Sequence, residues 1–134
     1  MSAKSDDDTI PKRLRGSVKR ARAKAPPAQD PVIEYLEIIY RETRTWWSDR
    51  SYHEDIVSVR EANMHGRLKK GYARVLIELS APPYISLQEK SKYEMVVRYA
   101  RASKVHPDNF QAFVRENGGI KGCIRKSQEK RKKG

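Results

Sequence analysis

The chain has one cysteine, Cys123, and only two phenylalanines in 134 residues. A lone thiol can form no intramolecular disulfide and supplies no set of thiolates for a structural zinc site, so a reducing compartment is expected. Long apolar runs are missing too. Nothing approaches the roughly 18–20 consecutive apolar residues of a membrane-crossing helix, and the opening residues, Met1-Ser2-Ala3-Lys4-Ser5-Asp6-Asp7-Asp8, lack the apolar stretch of a secretory signal. The expectation is a cytoplasmic, nucleoid-associated protein, or a nuclear one in a eukaryotic host. Hydrophobic residues make up 37% of the chain, below the roughly 45–50% of ordinary globular domains. One core is therefore expected, with part of the chain left outside it.

Signatures of catalysis are scarce. The sequence has no P-loop, no paired-glycine dinucleotide fingerprint and no nucleophile elbow. His53-Glu54 opens like a zinc-protease helix, but Val57 stands where the second histidine belongs. His53, His65 and His106 are far apart, and Asp49, Glu54, Asp55 and Glu61 are interleaved with arginines, a pattern of solvated or salt-bridged surface. No enzyme activity, no metal and no cofactor is expected.

Positive charge is abundant. The formal net charge is +12, which suits a partner of dense negative charge. The excess sits at the ends. Residues 1–29 hold eight Lys/Arg against three Asp, residues 125–134 hold six against one Glu, and the ninety-five between them carry only +2. Blocks of like charge repel and resist compaction. Residues 1–29 are thus expected to be a disordered basic arm and linker, 30–124 a helical domain, and 125–134 a basic tail.

The middle reads as helix. Asp30-Pro31 is a capping start, and Val32, Tyr35, Leu36, Ile39, Tyr40 and Thr43 recur at helical spacing into Trp46 and Trp47, one or both of which should anchor the core. Aromatic faces beside cations can also stack bases. Residues 52–65 lean towards helix. From Arg67 onward, Leu68, Tyr72, Val75, Leu76 and Leu79 share one arc, and Arg67, Lys70 and Arg74 the opposite one, which predicts a basic outer face. Ala81-Pro82-Pro83 ends that helix, and Ser86-Leu87-Gln88-Glu89 is a capping box for another over 87–103. Tyr93, Val96, Val97 and Ala100 form its buried face; Arg98 and Arg101 lie near Glu94, able to be neutralised by it or to touch phosphate. His106-Pro107 opens a short helix carrying Phe110, Phe113 and Val114, Asn117-Gly118-Gly119 stops it, and Ile120, Cys123 and Ile124 begin a last helix.

The predicted fold is all-α: a small helical bundle, compatible with a helix-turn-helix, with disordered basic arms at both ends. The predicted function is that of a nucleic-acid-binding accessory protein, with DNA ranked ahead of RNA. RNA binding and a protein-interaction role, as an adaptor or as an exported substrate with a basic signal tail, are the alternatives. Phosphate contacts are assigned to Lys12, Arg13, Arg15, Lys19, Arg20, Arg22 and Lys24 of the first arm, to Arg67, Lys70 and Arg74, and to Lys126, Lys130, Arg131, Lys132 and Lys133. Base-edge readers would be Gln111, Arg115, Lys121 and Arg125.

Overall fold

The computed structural model describes residues 10–24, 32–63 and 71–133. Among them are seven α-helices, one 3-10 turn and no strand. The helices are α1 (Lys12–Ala23), α2 (Val32–Ser48), α3 (Ser51–Asn63), α4 (Tyr72–Ser80), α5 (Leu87–Ala102), α6 (Phe110–Glu116) and α7 (Gly119–Lys133), with the 3-10 turn at Pro107–Asn109. None of the described helices is long and apolar enough to cross a membrane.

The stripe of α2 organises the bundle. Tyr35, Leu36, Ile39, Tyr40, Thr43 and Trp46 are buried, and α2 packs against α1, α3, α4, α5 and α6, while α7 lies on α5 and α6. The Tyr40 hydroxyl donates to the carbonyl oxygens of Val105 and Ala100, and Arg41 bonds both Glu37 and Asp108 at 2.8 Å. These contacts fasten the middle of α2 to the end of α5 and to the 3-10 turn beyond it. The expected cap of α5 is present: the Ser86 hydroxyl accepts from the Glu89 amide at 3.1 Å. Tyr93, Val96, Val97 and Ala100 form its buried face as expected. Beyond α6 the chain reverses through Gly118 and Gly119, whose φ values of 93° and 78° cost glycine little.

The first basic segment departs from expectation. It was expected to be disordered, yet Lys12–Ala23 is helical, and Ile10, Leu14, Val18 and Ala21 lie in the same core as α2. Their spacing of three and four places one narrow stripe inward. That stripe is too small to fold alone, but packed against α2, α3 and α4 it loses its water to surfaces the isolated segment would not have. Arg74 also departs from the expected basic outer face. It is 4% exposed, held by Glu78 at 2.9 Å, Glu94 at 3.3 Å and the Ser91 hydroxyl at 3.1 Å. Helix α4 packs against α1, α2, α3 and α5, so the arc that carries Arg74 faces α5 instead of solvent. Arg67 and Lys70 lie outside the described residues. At the other end the basic tail continues α7 as far as Lys133.

Candidate nucleic-acid interface

Of the two adjacent tryptophans, one goes in and one stays out. At about 100° per residue Trp47 falls on the same arc of α2 as the buried Leu36 and Tyr40, so helical periodicity alone does not separate the two tryptophans. Trp46 is buried and donates its indole N–H to the Ser17 hydroxyl at 3.0 Å. Ser17 in turn bonds Glu42 at 2.7 Å, which is paired with Arg20 at 2.7 Å. Trp47 is 50% exposed.

What surrounds Trp47 comes from four places in the chain. The guanidinium of Arg101, on α5, lies 3.8 Å from the indole centroid. The Tyr72 ring, at the start of α4, stacks on the same tryptophan with centroids 4.6 Å apart, and its hydroxyl meets His53 Nδ1 of α3 at 2.9 Å. Arg44 and Arg50 flank Trp47 in sequence, and Arg98 and Lys104 approach from α5 and the turn beyond it. All five cations, Arg44, Arg50, Arg98, Arg101 and Lys104, are exposed. None has a carboxylate within ion-pair distance among the described residues. Loss of hydration lowers the pKa of Arg101 from the ordinary guanidinium value, though arginine stays charged in proteins.

Three concavities meet at this tryptophan. One of about 430 Å³ runs towards Lys104 and His106, one of about 320 Å³ lies between Tyr72, Glu94 and Arg98, and one of about 480 Å³ opens towards Arg50 and His53. The exposed Glu54 lines the third of these concavities and Glu94 the second, where Glu94 is turned inward. Its Oε1 is taken by Arg74, and its Oε2 is buried without a hydrogen-bond partner. A half-exposed indole in a surround of cations that have no carboxylate within ion-pair distance among the described residues can stack bases and hold backbone phosphates together.

No known protein family, curated protein or solved structure matches the chain.

The residues assigned from sequence are scattered. Lys12 and Lys19 of α1 are exposed, but most of its other cations serve the fold. Arg13 donates to the Ser51 carbonyl at 2.7 Å, Arg15 to that of Ile10 at 2.8 Å, and Arg22 to that of Leu79 at 3.2 Å. Arg20 is paired with Glu42, and Lys24 lies 3.7 Å from Glu34. Gln111 donates to Glu37 and accepts from Arg115, while Lys126 donates to Asn117 at 3.0 Å. Lys121 and Arg125 are exposed on α7. The side chains of Lys130, Arg131, Lys132 and Lys133 lie outside the described residues. Trp47, Arg44, Arg98, Arg101 and Lys104 were not among the assigned residues. The signal for Trp47 was its position beside Trp46, and Arg98 and Arg101 were open in sequence to a phosphate role; Arg44 and Lys104 needed the fold.

Proposed function

We propose that the protein binds nucleic acid and takes a single-stranded segment across the face around Trp47. The observation that carries this reading is a tryptophan half open to solvent, covered in part by Arg101 and ringed by four more cations that have no carboxylate within ion-pair distance among the described residues. Half of this tryptophan's surface stays in solvent. Since Tyr72 and Arg101 already lie against its ring, a base stacks there by displacing the Arg101 guanidinium, which turns to the phosphate. Every base has a π-face, so such a platform binds strands with little regard to sequence. The cations add phosphate contacts, which make the affinity salt-dependent.

A duplex-DNA reading has narrower support. Helices α6 and α7 with the glycine turn between them follow the order of a helix-turn-helix, and the exposed Lys121 and Arg125 of α7 could reach a phosphate backbone. Gln111 and Arg115 are engaged with Glu37 and with each other, which disfavours base reading from α6.

The test is fluorescence anisotropy with a labelled twelve-nucleotide strand, as DNA and as RNA, and with the matching duplex, over a series of salt concentrations. The wild type should prefer a strand to the duplex. Trp47→Ala should weaken strand binding by roughly 5- to 150-fold, the equivalent of one lost base stack, and leave duplex binding nearly unchanged. Equal binding to strand and duplex, with no effect of Trp47→Ala, would overturn the reading in favour of general attraction by basic helices.

A further inference from the structure

Helix α5 ends in a turn that glycine usually makes. Ser103 closes the helix, Lys104 follows with φ 58°, and the amides of Lys104 and Val105 donate back to the carbonyls of Arg101 and Ala100 at 3.0 and 3.2 Å. This pair of bonds defines the closure in which the residue just past the helix adopts the left-handed conformation. Glycine does so freely; a side chain is crowded against the carbonyl that follows it. Lys104 is the only non-glycine residue of positive φ among the described residues. Where the same chain leaves α6 it uses Gly118 and Gly119 at the corresponding conformation.

Lysine at position 104 is thus opposed by the backbone, and nothing in the packing favours it. The side chain is exposed, with no carboxylate within ion-pair distance among the described residues. Asp108, the nearest acid along the chain, is held by Arg41. Instead, Lys104 lines the cleft of about 430 Å³ together with Arg44, Arg101, His106 and the ring of Trp47. Three cations converge there beside an aromatic face, and among the described residues no acid lines the cleft.

We propose that this cleft is a phosphate subsite, in which Lys104, Arg44 and Arg101 hold a backbone phosphodiester of the strand whose neighbouring base lies on Trp47. The assignment rests on the nucleic-acid reading and adds to it a fixed polarity of contact: base on the indole, phosphate on the α5 side. It also explains the strained residue, since conformational strain is retained where a side chain is needed in one place.

Stability and binding should therefore move in opposite directions. Lys104→Gly relieves the backbone and removes the charge. Its melting temperature should equal or exceed that of the wild type by a few degrees. Its affinity for a twelve-nucleotide oligothymidylate near physiological salt should fall roughly 3- to 10-fold, and the slope of log K against log salt should flatten by about 0.7, the value of one single-strand phosphate contact. Lys104→Arg, which carries the charge on the same strained backbone, should restore the slope. Unchanged affinity and slope in Lys104→Gly overturn the subsite, as does a Lys104→Arg protein as weak as Lys104→Gly, or a lower melting temperature for Lys104→Gly. Trp47→Ala separates the two readings. If it loses binding while Lys104→Gly does not, the stacking face stands and the phosphate assignment falls; if only Lys104→Gly loses binding, the phosphate cleft stands without the stack. A wild type that binds no strand ends both.

Discussion

The guanidinium of Arg101 lies over the indole of Trp47, 3.8 Å from its centroid, because the acid that could have claimed it is bound elsewhere. Glu94 stands two helical turns before Arg101 on α5, but its carboxylate faces inward to Arg74. An exposed cation–π contact contributes roughly 0.5–1 kcal/mol. Arg101→Ala should therefore lower unfolding stability by no more than about 1 kcal/mol in urea titrations, and still weaken strand binding. A loss several times larger would make Arg101 a structural residue and remove it from the interface.

Leu14 tests the status of the first basic segment. It is fully buried in the shared core, so Leu14→Ala should cost about 2–5 kcal/mol, the usual range for a core leucine. Chemical denaturation gives the number directly. A segment that stays outside the core would give a variant indistinguishable from wild type.

The Arg74–Glu94 pair tests the packing of α4 on α5. Both side chains are 5% exposed, and removing one partner of a buried ion pair leaves the other charged and unpaired. Arg74→Met should cost about 3–5 kcal/mol. Arg98→Met, on the exposed side of α5, should stay within about 0.5 kcal/mol of wild type. Similar losses from the two variants would mean the buried and open faces of these helices are misplaced.

Acid should weaken the fold. Burial raises the carboxyl pKa of Glu42 and Glu78, but hydrogen bonds outweigh it, from Arg20 and Ser17 to Glu42 and from Lys90 and Arg74 to Glu78, and hold both below the ordinary value of 4.5. A folded-state pKa below the unfolded one gives stability that is present above the unfolded value and lost as pH falls through the folded one. The melting temperature should thus be steady near neutrality and drop below about pH 5. Glu78→Gln should be less stable at neutral pH and show a shallower acid decline. A wild-type melting temperature unchanged at pH 3 would contradict these pairings.

Most of the helical framework was legible because burial in this chain follows simple periods. The stripes of α2 and α5, the Ser86 cap and the stop at Asn117-Gly118-Gly119 all depend on residues within a turn or two of one another. Helix α1 was not legible, since Ile10, Leu14 and Val18 form a core face only when three other helices cover them. Arg74 failed for a related reason: a polar arc looks solvated until the neighbour carrying Glu94 is in place. The Trp47 face is less legible still, being assembled from positions 44, 47, 72, 101 and 104 on three helices and a turn. The strain at Lys104 has no sequence mark at all, because no glycine stands there to show that the backbone turns left-handed.

Intrinsic fluorescence tests the central claim most directly, because the chain has only two tryptophans, one buried and one half open. Titrating the wild type with an unlabelled twelve-nucleotide strand near physiological salt should quench the emission saturably, as bases stack on Trp47. Trp47→Phe, which keeps the buried Trp46, should show almost no change over the same range. Equal quenching in the two proteins, or strand binding seen by anisotropy with no quenching of the wild type, would contradict the assignment of this face as the nucleic-acid contact.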